Sequence, residues 1–261
     1  MIVDTSAPGV VQLILNRPEQ LNAWTPTLER SVFAALDASA SDPQVRVVVI
    51  TGAGRGFCAG ASMNMLGESV RSEDRLDRRR LCELADFPKP VVAAINGPAA
   101  GIGFALALWC DVRICAADAK LTTSFARLGL VAEHGTAWLL PRIVGRAHAV
   151  DLLLSGRTIT GTEALAMGLV QRAVDTDATV TAALEYAQIL VESGAPTSWA
   201  AIKAQIAAAD SVPKDVAYTQ SIELMGPALS SEVHREGVQA WRQKRAPRFP
   251  PYPDTAGGPI R

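Results

Sequence analysis

The stretch LGLVAEHGTAWLLPR, residues 128–142, sets one carboxylate and one imidazole between two apolar runs. Apart from His134, every neighbour of Glu133 within three positions is small or apolar. A carboxylate here has two uses. It can stand at the start of a helix, GTAWLLPRIVG, and gain from the helix dipole, which is worth under about 1 kcal/mol. Or it can act as a general base that takes a proton from carbon and returns it elsewhere. His134 has the same two readings, as a second acid–base group or as a packed or capping residue. Residue type alone does not choose between them.

Two glycine-rich loops supply a partner for such a base. TGAGRGFCAGASMN (51–64) and NGPAAGIGFALALWCD (96–111) each follow a predicted strand. Glycines let main-chain N–H groups approach an oxygen atom with no side chain in the way. Neither loop fits a dinucleotide fingerprint, because the sixth position is Leu106 in one and Phe57 in the other. GxxxxGK[ST] and GxSxG are also missing, so nucleotide-phosphate and serine-hydrolase chemistry find no support. A helix over 101–110 would aim its first amides at the end of the preceding strand, where a negative oxygen gains from amides and dipole together. With amides from the 59–62 turn this makes a two-sided oxyanion hole. The plainer reading of either loop alone is a tight turn.

The elements that must position these groups are legible. VVQLILN (10–16), RVVVIT (46–51), PVVAAIN (90–96) and VRICA (112–116) read as strands rich in β-branched residues. Between the first two, Thr25 and Pro26 open a helix with Leu28, Val32, Ala35 and Leu36 on one face. Apolar strands alternating with helices predict an α/β fold, a largely parallel sheet covered on both faces. After about residue 135 the chain reads mostly as helix. Thr160 and Glu163 form a capping box with Gly168 as the stop, and 177–193, 196–209, 214–225 and 231–245 are helical.

Apolar residues make up 49% and charged residues 20% of the 261, a globular composition with a sizeable core. A net charge of −1 gives no general pull toward nucleic acid or anionic membrane. No run approaches the roughly 18 apolar residues of a membrane span. The N-terminus lacks a basic region ahead of an apolar run, so no secretory leader is expected. Cys58, Cys82, Cys110 and Cys115 show no metal-ligand spacing and read as reduced, buried thiols of a cytoplasmic protein.

NRPEQLNAW, GAGRGFCAGASM, INGPAAGIGFALALWCD, LLSGRTITGTEALAMGLV and EGVQAWRQKRAPRF, in that order from residue 16 to 249, resemble the successive signatures of the crotonase superfamily, the enoyl-CoA hydratase/isomerase family. The resemblance implies a crotonase-type spiral of ββα units over residues 1–195 and a helical oligomerisation region over 196–261. It also implies a homotrimer or a dimer of trimers, and acyl-CoA thioesters as ligands with no separate cofactor and no metal. By that carry-over the N–H groups of Ala59 and Ile102 hold the thioester oxygen. Ala23, Ala59, Gly60, Ala61, Ser62, Met63, Ile102 and Phe125 contact substrate. Arg242, Lys244, Arg245 and Arg248 form a basic tail that is either solvated or close to the CoA phosphates. The charged segment 69–84 is expected to be a solvated helix face that also roofs the acyl pocket, reached through Met63, Met65 and Leu66.

One departure matters. The two glutamates that the family's hydratases use fall here on Ala105 and Phe125, and neither side chain can carry a proton. Glu133, eight residues past Phe125, falls where the isomerase branches keep their acid. The expectation is an isomerase-type proton shuttle by Glu133. Slow hydration through Glu133, or an acyl-CoA binder that has lost its chemistry, are the alternatives.

Overall fold

The computed structural model of the chain describes residues 1–62, 79–209 and 211–252. Met63, Met65, Leu66 and residues 69–78 of the charged segment lie outside them.

The main sheet has six strands in the order β1 (Ile2–Asp4), β2 (Val10–Leu15), β3 (Val47–Gly52), β4 (Val91–Ile95), β6 (Val112–Ala116) and β9 (Arg172–Val174). All pairings are parallel except that of β1, which runs antiparallel along the edge of β2. Residues of β3 and β4 are buried throughout, and the period of two sorts them between two faces. Leu13, Val48, Ile50 and Ala93 face the large core with helix α1 (Pro26–Ser41), while Val47, Val49, Val92 and Ile114 face the other side. Ala183 and Ala187 bring a later helix, Thr179–Ser193, close against that second face. At roughly 25 cal/mol per Å² of apolar area, each fully buried aliphatic side chain contributes about 2 kcal/mol.

A small second sheet joins β5 (Ala99–Ala100), β7 (Lys120–Thr122) and β8 (Ile159–Thr160). The remaining helices are α2 (Glu83–Asp86), α3 (Ile102–Trp109), α4 (Thr136–Ser155), α5 (Gly161–Ala166), α6 (Thr179–Ser193), α7 (Pro196–Ala209), α8 (Lys214–Ser230) and α9 (Glu232–Gln243). This mixed α/β core followed by a helical C-terminal part is the arrangement that the resemblance implies. Thr25 caps α1 as expected, its Oγ1 accepting from the Leu28 N–H at 3.1 Å, and the Thr160–Glu163 capping box opens α5. Helix α8 runs five residues past its expected end, through Pro227. A proline has no N–H, so the helix gives up one hydrogen bond at Pro227 and continues to Ser230.

The ends of α1 and β4 are tied by Lys89, which is fully buried and donates to the carbonyls of Ser39 and Asp42, each at 2.6 Å. Burial pushes its ammonium down to about 8. Cys58, Cys110 and Cys115 are buried, and burial pushes their thiols up to about 11, 12 and 12. Cys82 departs from the expectation of four buried thiols and is half-buried. Among the described residues no helix is long and apolar enough to cross a membrane.

Candidate active site

The chain leaving β3 turns through Gly52, Gly54 and Gly56 and then runs extended over 57–62. Two buried asparagines hold the turn. Asn22 Nδ2 donates to the carbonyls of Ala53 (2.9 Å) and Gly56 (2.7 Å), and Asn96 Nδ2 to those of Gly52 (2.8 Å) and Gly54 (2.9 Å). Each amide satisfies main-chain acceptors that burial would otherwise leave orphaned.

Segment 57–62 lies between two neighbours. On one side the Cys58 N–H donates to the Pro98 carbonyl at 3.1 Å, and the Ala100 N–H to that of Cys58 at 3.0 Å. On the other, Ala59 donates to the Leu21 carbonyl at 3.0 Å, Trp24 to that of Gly60 at 2.7 Å and Ser62 to that of Trp24 at 2.9 Å. A regular strand would alternate sides at every residue. Gly60, at φ +103°, breaks the alternation, and such a φ suits glycine alone. Ala61 is thereby the residue paired with Trp24, and its own N–H points away from that strand. Among the described residues nothing accepts from it. The expectation for Ala59 is corrected here: its N–H is spent on Leu21, and the amide left open on this segment belongs to Ala61.

The second open amide is that of Ile102, the first residue of α3, where a helix N–H has no partner within the helix. Gly103 lets this helix end reach segment 57–62. A Cβ at Gly103 would stand 2.1 Å from the Cys58 carbonyl oxygen, so no other residue fits without displacing the helix. Both residues line one cavity of about 420 Å³.

The opposite wall comes from the chain between β7 and α4. Phe125, buried, begins a 3-10 turn (Ala126–Leu128), and the exposed residues that follow lead to Glu133. His134 (φ 55°) and Gly135 (φ 73°) are both left-handed and steer the chain into α4. The Glu133 carbonyl accepts from the Thr136 N–H (3.0 Å) and Oγ1 (2.7 Å). The Trp109 indole donates to the His134 carbonyl at 2.7 Å and stacks on Trp138, 6.1 Å between centroids. The N-cap of α4 is Gly135 and no side chain caps it, so Glu133 is not a helix cap. Its Oε2 lies 3.7 Å from His134 Nε2, and both residues line the cavity.

Of the expected contact residues, Ala59, Gly60, Ala61, Ile102 and Phe125 line this cavity. Ala23 and Ser62 are not among its described lining residues, and Met63 is outside the description. Ala23 instead gives its carbonyl to the Arg17 guanidinium at 2.7 Å. Ala105 is fully buried in α3 and off the cavity. Of segment 69–84, residues 79–82 line the cavity. None of Arg242, Lys244, Arg245 and Arg248 does. Arg245 makes a two-pronged pair with Glu236 (2.6 and 2.9 Å), which the Arg248 N–H joins at 2.6 Å. These contacts hold the Glu236 carboxyl down at about 2.

Sequence reasoning missed Asn22 and Asn96, which look like ordinary loop residues, and Glu29, which also lines the cavity. Glu29 reads as a first-turn helix carboxylate, yet its Oε2 accepts from the indole of fully buried Trp24 at 2.9 Å.

The family model for enoyl-CoA hydratase/isomerase matches residues 5–251. A 1,2-epoxyphenylacetyl-CoA isomerase from Escherichia coli is 37% identical over 254 residues, covering 92% of this chain and 95% of the relative. A 2,3-dehydroadipyl-CoA hydratase from the same organism is 34% identical, covering 92% and 94%. The crystal structure of a probable enoyl-CoA hydratase/isomerase from Mycobacterium abscessus superposes with a TM-score of 0.88 at 30% identity, covering 96% of this chain and 98% of that one. The chain belongs to the enoyl-CoA hydratase/isomerase family, within the crotonase superfamily. It is an acyl-CoA-processing enzyme of that family, whose substrates are acyl-CoA thioesters.

Proposed function

We propose that the protein isomerises an acyl-CoA thioester, with the open amides of Ala61 and Ile102 holding the thioester oxygen and Glu133 moving the proton. Glu133 takes a proton from the carbon next to the thioester, or from its vinylogous position. The electron pair moves onto the thioester oxygen, where two N–H groups receive the charge. Each such donor is worth about 3 kcal/mol of barrier. Glu133, now neutral, returns the proton to another carbon and the carbonyl re-forms. Proton balance closes with no separate cofactor, because CoA arrives as part of the substrate.

One observation carries this reading: Ala61, Ile102 and Glu133 line the same cavity, while the hydratase acid positions hold a buried Ala105 and Phe125. The name of the 37%-identical relative, an isomerase of a ring-epoxide thioester, supports it. Hydration is the second reading. It needs an acid and a base at one water molecule, and His134 beside Glu133 is the observation in its favour. The test is turnover of a panel of enoyl- and epoxy-acyl-CoAs in ¹⁸O-labelled water. Isomer free of label is the expected product, and labelled hydroxyacyl-CoA would establish hydration. A panel that raises the melting temperature without turning over would overturn both readings in favour of a binder.

The assembly belongs to the same reading. Helices α7, α8 and α9 enclose an open cleft with exposed Ile202, Leu224, Met225, Leu229 and Trp241. A contiguous apolar patch of this kind calls for cover. Neighbouring copies in a trimer, or a dimer of trimers, would supply it. Light scattering at micromolar concentration should give at least three times the chain mass. The four free cysteines suit a reducing compartment such as the cytoplasm.

A further inference from the structure

We infer that Glu29 is a specificity residue of this cavity, accepting a hydrogen bond from an O–H or N–H donor on the bound thioester. The inference rests on the cavity being the thioester site and is independent of what Glu133 does there.

Three features set Glu29 apart from an ordinary first-turn carboxylate. Its Oε2 is pinned by the indole N–H of Trp24, a side chain with no exposure, so the carboxylate is held at the cavity wall. Its other oxygen, Oε1, carries no hydrogen bond among the described residues. No cation among them lies within ion-pair distance either. Arg79, which also lines the cavity, is committed elsewhere: it pairs with Asp37 at 2.9 Å, contacts Glu83 and lies over the Phe33 ring at 4.7 Å. Glu29, Phe33 and Asp37 are spaced by four and share one stripe of α1, so Arg79 covers the two later turns and leaves the first open.

Trp24 ties this carboxylate to the open amide. The same residue that pins Glu29 through its side chain pairs with Ala61 through its main chain. A buried indole N–H requires an acceptor, but a neutral one would serve. A charged acceptor with a second oxygen to spare offers a ligand donor a charge-assisted bond, about twice as strong as a neutral one. Its negative charge also repels phosphate. The donor therefore comes from the uncharged part of the ligand, either a hydroxyl on the acyl group or an amide of the pantetheine arm.

The test is Glu29→Gln. Gln keeps an oxygen for the Trp24 indole but presents N–H₂ where the free carboxylate oxygen was, so a purely structural role survives the change. Steady-state kinetics on matched pairs of acyl-CoAs, with and without a hydroxyl on the acyl group, read the result alongside the melting temperature. The expected outcome is a fall in kcat/KM of about tenfold to a hundredfold, carried by KM, with the melting temperature unchanged. A loss confined to hydroxylated substrates places the donor on the acyl group. An equal rise in KM across the panel places it on pantetheine. Wild-type kinetics in Glu29→Gln, or a loss that follows a fall in melting temperature, overturns the inference. Absence of turnover and of any acyl-CoA-induced stabilisation in the wild type would sink the thioester reading of the cavity instead.

Discussion

The amide wall of the cavity and its acid wall are held in different ways. Ala61 and Ile102 present main-chain groups fixed by neighbours packed at contact distance: the Gly60 reversal, the Gly103 approach to Cys58, and the two asparagines that hold the preceding turn. Glu133 and His134 present side chains on a largely exposed connection, steadied by bonds that include the Trp109 indole to the His134 carbonyl and the Thr136 N–H and Oγ1 to the Glu133 carbonyl, and by the left-handed pair at 134–135. The first wall is little altered by exchanging the residues that present the amides, since every residue except proline has an N–H. The second can be rewritten one side chain at a time. On the proposed reading, oxyanion binding is therefore tied to the packing of the core, while proton chemistry depends on side chains of the connection.

The change expected to cost most is Gly103→Ala. It places a methyl group 2.1 Å from the Cys58 oxygen, and the helix must shift. Overpacking of this kind costs about 3 kcal/mol, and a displacement near 1 Å of a group that binds the reacting centre costs about 10²-fold in rate. Melting temperature and turnover of every substrate should fall together. If Gly103→Ala melts and turns over like the wild type, the amide wall is not rigid and the contrast fails.

Glu133→Gln should affect chemistry alone. Turnover falls by about 10²-fold or more, the scale of a lost general base, while acyl-CoA affinity and melting temperature stay near the wild type. Full activity would remove Glu133 from the mechanism. His134→Gly should be smallest. A left-handed residue other than glycine costs roughly 1 kcal/mol, and the Trp109 bond goes to the main chain and survives the change. Thermal denaturation should show stability held or raised by up to about 1 kcal/mol. A large destabilisation would mean that the acid wall is packed as tightly as the amide wall.

The sequence made some of this legible and hid the rest for definite reasons. Strands β2, β3, β4 and β6 are runs of β-branched residues long enough to show their period, and each lies within a residue or two of its expected span. Strands β5, β7 and β8 have two or three residues, too few for any period to appear. Glu133 was visible as an isolated acid. The open amide was misplaced by two residues because N–H direction depends on φ at Gly60, which composition does not encode. Glu29 was hidden by position, since acids in a first helical turn are usually solvated and only the fold brings Trp24 beneath it.

The four cysteines have a practical corollary. Thiol reactivity follows access and thiolate content, and three of the four are buried with ionisation pushed to about 11 or 12. The fourth, Cys82, is half-buried and lines the cavity. A thiol-selective fluorophore applied to the unmodified protein will therefore attach at Cys82. The native chain carries its own single attachment point for a reporter of cavity occupancy.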